Sequence, residues 1–272
     1  KAQVEAGVDA IIVGGSLGES STITLDERLV LLDSLKSGLP DLPVLINIAE
    51  SATARAVQLA QRAEVAGADG LMLLPPMMYR ATDTEVVNYF RDVAGNTNLP
   101  ILVYNNPIDY KIEITPIMFD SLLKMKNIQA VKESTRDMAN VTRLINRFGE
   151  RLKVLTGVDT IAMESLMMGA SGWVAGLVNA FPAETVALYQ LVKAGRFDEA
   201  REIHRWFMPL LELDISPQLV QNIKLAESMT GMGTEYVRPP RMMLSGDERE
   251  RIRQIIRRGI ATRPALPEFP AR

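Results

Sequence analysis

Three short stretches hold residues that could do chemistry. Lys132 ends the apolar run Ile128-Gln129-Ala130-Val131 and is followed by Glu133 and Ser134. A lysine at that point either snorkels outward or stays among apolar neighbours, where burial disfavours its charged form and frees the amine to attack a carbonyl carbon. The second choice is Schiff-base chemistry. Tyr104 closes another apolar run and opens Tyr104-Asn105-Asn106-Pro107. Its phenol either sits satisfied in the core or moves a proton at the end of a strand. The third stretch is Gly14-Gly15-Ser16-Leu17-Gly18-Glu19-Ser20. It could hold a carboxylate or phosphate through backbone amides and hydroxyls, or it is a tight turn that needs glycine at positive φ. No Gly-Lys-Ser/Thr follows it, which argues against a nucleotide P-loop.

Composition narrows the chemistry further. The 272 residues contain no cysteine and a single histidine, His204, so thiol nucleophiles, disulfides, Cys-type zinc sites and His-rich metal sites are excluded together. His204 lies in the charged segment Arg201-Glu202-Ile203-His204-Arg205-Trp206 and reads as a solvated or satisfied helix residue. The pairs Met77-Met78 and Met167-Met168 read as packing or subunit contact. Lys and Arg number 30 against 33 Asp and Glu, for a net charge of -3, which offers no basic stripe for nucleic acid. No apolar run approaches the roughly 18 residues needed to span a bilayer, and residues 1–7 lack a signal-peptide core. No membrane partner and a cytoplasmic location are the expectations.

The elements that must position Lys132, Tyr104 and the glycine-rich turn can be read from the pattern. Apolar β-rich runs recur at 9–14, 44–48, 70–74, 101–104, 128–131, 152–155 and 172–177. Each is nearly continuous in hydrophobicity, as expected of parallel strands covered by helices on both faces. Helix starts lie between them: Thr24 with Glu27 and Thr82 with Glu85 fit capping boxes, and Thr115-Pro116 places a capping hydroxyl before a first-turn proline. The resulting βαβα rhythm predicts an α/β fold, a (β/α)8 TIM barrel, with an open doubly wound sheet as the alternative. Seven strands are visible; the chain begins at Lys1, and the first strand of the barrel is expected to be missing from it. Residues 1–195 are assigned to the barrel, 196–262 to a helical C-terminal extension, and 263–272, with Pro264, Pro267 and Pro270, to an irregular tail. Barrel chemistry sits at the C-terminal ends of strands. Asp159, after the sixth strand, is read there as a helix cap.

Gly-x-x-Gly-Glu, Tyr-Asn-x-Pro and Lys-Glu-Ser fall in that order on successive strands, and with them the chain resembles the dihydrodipicolinate synthase and N-acetylneuraminate lyase family. The resemblance implies a barrel with a helical extension that binds a small-molecule 2-oxo acid as a lysine imine, without metal or organic cofactor, in a homo-oligomer (dimer or tetramer). By motif position, Lys132 would form the imine and Tyr104 would transfer protons. Gly15 and Ser16 would bind the substrate carboxylate, with Gly157 and Val174 lining the pocket. Three positions depart from the synthase pattern. A second hydroxyl residue of the turn is Leu17, a tyrosine given across a subunit contact is Met78, and an arginine that receives the second substrate's carboxylate is Asp109.

On those departures the chain is expected to belong to a branch other than true dihydrodipicolinate synthase, with lysine biosynthesis and sialic acid cleavage not indicated. The expected activity is a lyase acting on a 2-oxo acid or cyclic imine acid, in the manner of a hydroxypyrroline-carboxylate deaminase or dehydratase. An aldolase releasing pyruvate from a sugar acid is the alternative within enzymes. A non-catalytic ligand-sensing barrel is the alternative outside them, because fold alone does not fix function.

Overall fold

The computed structural model describes residues 1–267, so the last part of the expected tail, 268–272, lies outside the described residues. The chain divides into two compact units. One contains Asp9–Gly157 and Met168–Gly172; the other contains Lys1–Val8, Val158–Met167 and the chain from Trp173 onward.

The chain opens with the short helix α1 (Ala2–Glu5) of the second unit. The first unit then alternates β1 (Ile11–Val13), α2 (Leu25–Gly38), β2 (Val44–Ile48), α3 (Thr53–Val65), β3 (Gly70–Leu73), α4 (Asp83–Ala94) and β4 (Ile101–Asn105). It continues with the single turn α5 (Pro107–Tyr110), then α6 (Pro116–Leu122), β5 (Ile128–Glu133), α7 (Met138–Phe148) and β6 (Lys153–Thr156). Helix α8 (Ala162–Met167) and strand β7 (Gly172–Trp173) follow. The seven strands form one sheet in sequence order, with every pair from β1 through β6 parallel. This is the α/β architecture of a (β/α)8 barrel, seven of whose strands lie among the described residues.

The strands are built as their composition demands. All residues of β3 and β4 are buried, because helices cover one face and side chains from the other strands cover the second. The helices start where the caps said they would. Thr24 Oγ1 accepts from Glu27 N at 3.2 Å while Thr24 N donates to Glu27 Oε2 at 2.8 Å, and Thr82 and Glu85 repeat the arrangement. Thr115 caps α6 ahead of Pro116.

Two strands differ from their sequence reading. Strand β5 runs on through Lys132 and Glu133, which pair with Tyr104 and Asn105 of β4, so the lysine sits inside the ladder and not beyond it. Strand β7 stops at Trp173, well short of residue 177. Asp159 supplies the reason. It does not cap a helix through its side chain; its carboxylate accepts from Trp173 Nε1 at 2.9 Å, Gly176 N at 3.1 Å and Leu177 N at 2.8 Å. Amides held by a carboxylate are not available to a ladder, and Leu177–Asn179 turns as a 3-10 helix.

The second unit is helical, with α8, α9 (Pro182–Lys193), α10 (Phe197–Leu211), α11 (Leu219–Thr230) and α12 (Gly246–Ala261). Phe181, Trp206 and Phe207 form its aromatic centre, with Phe181 and Phe207 centroids 5.9 Å apart. His204 of α10 is a correction to the sequence reading. It is only 7% exposed, and neither ring nitrogen has a hydrogen-bond partner; Nε2 lies 3.6 Å from Glu164 Oε1, beyond hydrogen-bond length. It occupies the inner face of α10, which the charges around it in sequence conceal. Among the described residues no helix is long and apolar enough to cross a membrane.

Candidate active site

The parallel register between β4 and β5 puts Tyr104 opposite Lys132, so both side chains leave the sheet on the same face. Lys132 Nζ stands 4.1 Å from the centroid of the Tyr104 ring. A cation at that distance over a phenol face is attracted by the ring quadrupole. Tyr104 itself is 5% exposed, and Lys132 is half-buried.

Gly157, the residue after β6, explains how the lysine finds room. A Cβ built there would lie 2.6 Å from both Cγ and Cε of Lys132, so any larger residue would displace the amine. Gly157 N donates to Glu133 O at 2.9 Å, which fixes the approach. Ser134 Oγ lies on the same side of Gly157 and is buried without a hydrogen-bond partner.

The chain after β4 folds back on itself in a ring of hydrogen bonds. Asn106 caps α5, its Oδ1 accepting from Asp109 N at 3.2 Å. Its Nδ2 donates to Tyr104 OH at 3.1 Å and to Asp109 Oδ2 at 2.7 Å. Asp109 is exposed and is engaged with Asn106. Tyr110, the last residue of α5, meets Tyr104 edge to face with centroids 5.6 Å apart and the planes at 82°. Its hydroxyl is hydrogen-bonded to Ser16 Oγ. Burial pushes the Tyr110 phenol above its ordinary range, and the neighbouring Tyr104 and Asp109 push the same way against the Ser16 hydrogen bond.

The glycine-rich turn is anchored from below. Gly14 takes φ of 71°, a left-handed conformation that costs glycine little, and the chain then turns so tightly that Ser20 N donates to Gly15 O at 3.1 Å. Arg28 of α2, buried, donates to Ser20 O at 2.9 Å and to Asn47 O of β2 at 3.0 Å. Burial lowers the affinity of its guanidinium for the proton, an effect that Glu50 opposes. Gly15 and Ser16 are therefore held at the head of β1 while remaining half-buried.

Ser16, Tyr110, Tyr104, Lys132 and Gly157 thus form one continuous series of contacts within the first unit. Val174 follows β7 in the second unit and is half-buried there. Sequence reasoning missed Asn106, Tyr110, Glu133 and Ser134. Asn106-Pro107 carries a recognisable capping signal. Tyr110 carries none, since only the return of α5 brings it to Ser16.

The profile of the Dihydrodipicolinate synthetase family matches residues 1–258. The chain belongs to this family. As a member of the dihydrodipicolinate synthetase family it is an enzyme, a lyase that works through a lysine Schiff base. It is 30% identical over 257 residues to the 4-hydroxy-tetrahydrodipicolinate synthase of Aquifex aeolicus (strain VF5), covering 94% of this chain and 87% of that protein. The crystal structure of dihydrodipicolinate synthase from Aquifex aeolicus superposes with a TM-score of 0.89 at 30% identity, over 94% of this chain and 88% of that one. The 4-hydroxy-tetrahydrodipicolinate synthase structure from Methylacidiphilum fumariolicum SolV gives 0.90 at 28% identity, over 96% and 87%.

These matches correct the expectation of a branch apart from true dihydrodipicolinate synthase, because the similar proteins are themselves synthases along nearly their whole length. Three positions, Leu17, Met78 and Asp109, were too narrow a base for that exclusion. Two of them are hydroxyl positions, and the fold brings in the Tyr110 hydroxyl from elsewhere; the third is engaged by Asn106. The deaminase or dehydratase reading falls with it, and the aldolase alternative stands nearer to these relatives. The non-catalytic alternative is likewise set aside. Among the described residues no group of three or more His, Cys, Asp or Glu could hold a metal ion, and the family's chemistry draws on a lysine amine of the chain itself.

Proposed function

We propose that this enzyme forms an imine between Lys132 and a 2-oxo acid, pyruvate being the simplest, and joins or splits a carbon–carbon bond at the neighbouring carbon. The observation that supports it most is the pairing of Lys132 with Tyr104 across β4 and β5, amine over ring at 4.1 Å. The names of the similar proteins, 4-hydroxy-tetrahydrodipicolinate synthases, favour the bond-forming direction.

In this reading the Lys132 amine attacks the 2-oxo carbon and the carbonyl oxygen leaves as water. Loss of a proton from the adjacent methyl gives an enamine. Its carbon attacks an aldehyde, the new alkoxide takes a proton, and water releases the product and the amine. Tyr104 serves these proton transfers. Its oxygen accepts from Asn106, which leaves its own proton to be given away. Gly15 and Ser16 receive the substrate carboxylate, Gly157 lines the pocket beside Lys132, and Asp109 stands at the distal end, tied to Asn106.

The same reading makes the enzyme a homo-oligomer in the cytoplasm. Met78 is 83% exposed, with Tyr79 and Ile108 also exposed on loops that follow β3 and β4, a surface suited to a second copy.

Borohydride treatment with pyruvate should add the mass of a reduced adduct to the peptide containing Lys132. Lys132→Ala should abolish the adduct. Labelling of a different lysine would overturn the assignment.

A further inference from the structure

The hydrogen bond between Ser16 Oγ and Tyr110 OH joins two hydroxyls that the mechanism above uses only in part. Each could donate to the other, and the direction decides what Ser16 can do. If the serine donates, its single proton is consumed inside the protein and it meets a carboxylate with lone pairs alone. If the tyrosine donates, the serine proton is free.

Three observations favour the tyrosine as donor. A phenol, with an ordinary pKa near 10, is the stronger hydrogen-bond acid of the two. Burial and the carboxylate of Asp109 on the same turn of helix hold that phenol in its protonated form. The ring is also fixed. Its backbone belongs to α5, which Asn106 caps, and its edge rests against Tyr104 at 5.6 Å. The side chain of Leu17, the next residue of the turn, has no proton to offer.

We infer that Tyr110 is a positioning residue for substrate capture: its phenol donates to Ser16 Oγ and directs the serine's own proton to the carboxylate of the 2-oxo acid. A serine hydroxyl otherwise rotates among staggered positions, and fixing it removes that freedom before the substrate arrives. A hydroxyl that accepts one hydrogen bond is also polarised into a better donor for the next. The turn after β1 and the end of α5 thereby meet at the carboxylate site through this one contact.

The inference rests on the proposed role of Ser16 in binding the carboxylate, so the test separates the two. The half-saturating pyruvate concentration for borohydride-trapped imine is measured for the unmodified enzyme, Tyr110→Phe, Ser16→Ala and the double variant. A directed hydrogen bond to a carboxylate is worth roughly tenfold in affinity. Tyr110→Phe should therefore raise half-saturation by about tenfold, and the double variant should be no worse than Ser16→Ala alone. Methyl pyruvate, which has no carboxylate, should respond little to Tyr110→Phe, a result that a merely structural role would not produce. Ser16→Thr, which keeps a hydroxyl, should retain most of the affinity. Tyr110→Met, similar in bulk but without a hydroxyl, replaces the phenylalanine variant should that one not fold.

Unchanged half-saturation in Tyr110→Phe, additive losses in the double variant, or an equal loss with methyl pyruvate would each overturn the inference and leave the imine chemistry standing. No adduct at Lys132 in the unmodified enzyme would remove the proposed function and this inference with it.

Discussion

The amide of Asn106 has two hydrogens, and both are engaged, one on the Tyr104 hydroxyl and one on Asp109. Tyr104 therefore enters the site as an acceptor already satisfied by the protein, with its proton uncommitted. The proposed role, giving a proton to a reacting atom and taking it back, draws on that free proton. Tyr104→Phe keeps the ring under the Lys132 amine and removes only the hydroxyl, so turnover should fall by about 10²–10⁴-fold while trapping at Lys132 persists in part. Unchanged turnover, measured on a folded variant, would return Tyr104 to a packing role. The placement of Lys132 and Tyr104 at the ends of neighbouring strands was legible in the sequence because each ends an apolar run with a group that such runs do not usually tolerate. Tyr110 was not, because nothing in Ile108-Asp109-Tyr110 says that the chain reverses there. His204 was misread for a related reason: its sequence neighbours are charged, whereas the helix turns the imidazole inward.

At the scale of elements, one buried clasp holds β4, β5 and the loop that carries α5. Asn105 Oδ1 accepts from Ile114 N at 2.9 Å, and its Nδ2 donates to Ile114 O at 3.3 Å and to Glu133 Oε2 at 3.1 Å. Glu133 Oε1 accepts from Thr135 N at 2.8 Å. The two ends of the loop are thus tied together beneath Tyr104 and Tyr110. Burial raises the Glu133 carboxyl above its ordinary value, and the hydrogen bonds from Thr135, Asn105 and Asn140 oppose it only in part. A carboxyl whose folded-state pKa is raised favours the fold when protonated. Its contribution is complete below the unfolded value of about 4.3 and is lost as pH climbs through the raised folded value. Glu133→Gln cannot titrate. The difference in melting temperature between the two proteins should therefore change with pH above the ordinary glutamate range, the unmodified protein losing ground as pH rises. A difference that stays constant with pH would show that Glu133 is not strained by burial. The capping boxes at Thr24 and Thr82 were readable from spacing alone because they are local. The early end of β7 was not readable, because the Asp159 carboxylate that takes its amides lies a full helix upstream in sequence.

For the whole molecule, the seven strands and their helices were legible because a parallel sheet leaves its mark as continuous apolar runs. The surface is less so, since an exposed residue answers to whatever meets it. Met78 illustrates the difference. In sequence it is one of a methionine pair after a strand, and in the structure it is 83% exposed, which no requirement of the fold explains. The loops bearing Met78 and Ile108 leave the same end of the sheet, since β3 and β4 are paired at Leu73 and Val103. A thioether adapts to an irregular apolar partner, and a second copy of the chain presents one by symmetry. If this surface is the subunit contact, Met78→Asp should leave the folded chain intact, because its side chain meets mostly water within one copy. It should instead place an unpaired charge against an apolar partner in the oligomer, at a cost of about 3 kcal/mol, or roughly 10²-fold in association. Sedimentation should find the unmodified enzyme as a multimer and the variant shifted to lower mass at the same concentration. A multimer unaffected by Met78→Asp would move the contact to another face, and a monomeric mass for the unmodified enzyme would remove the contact altogether.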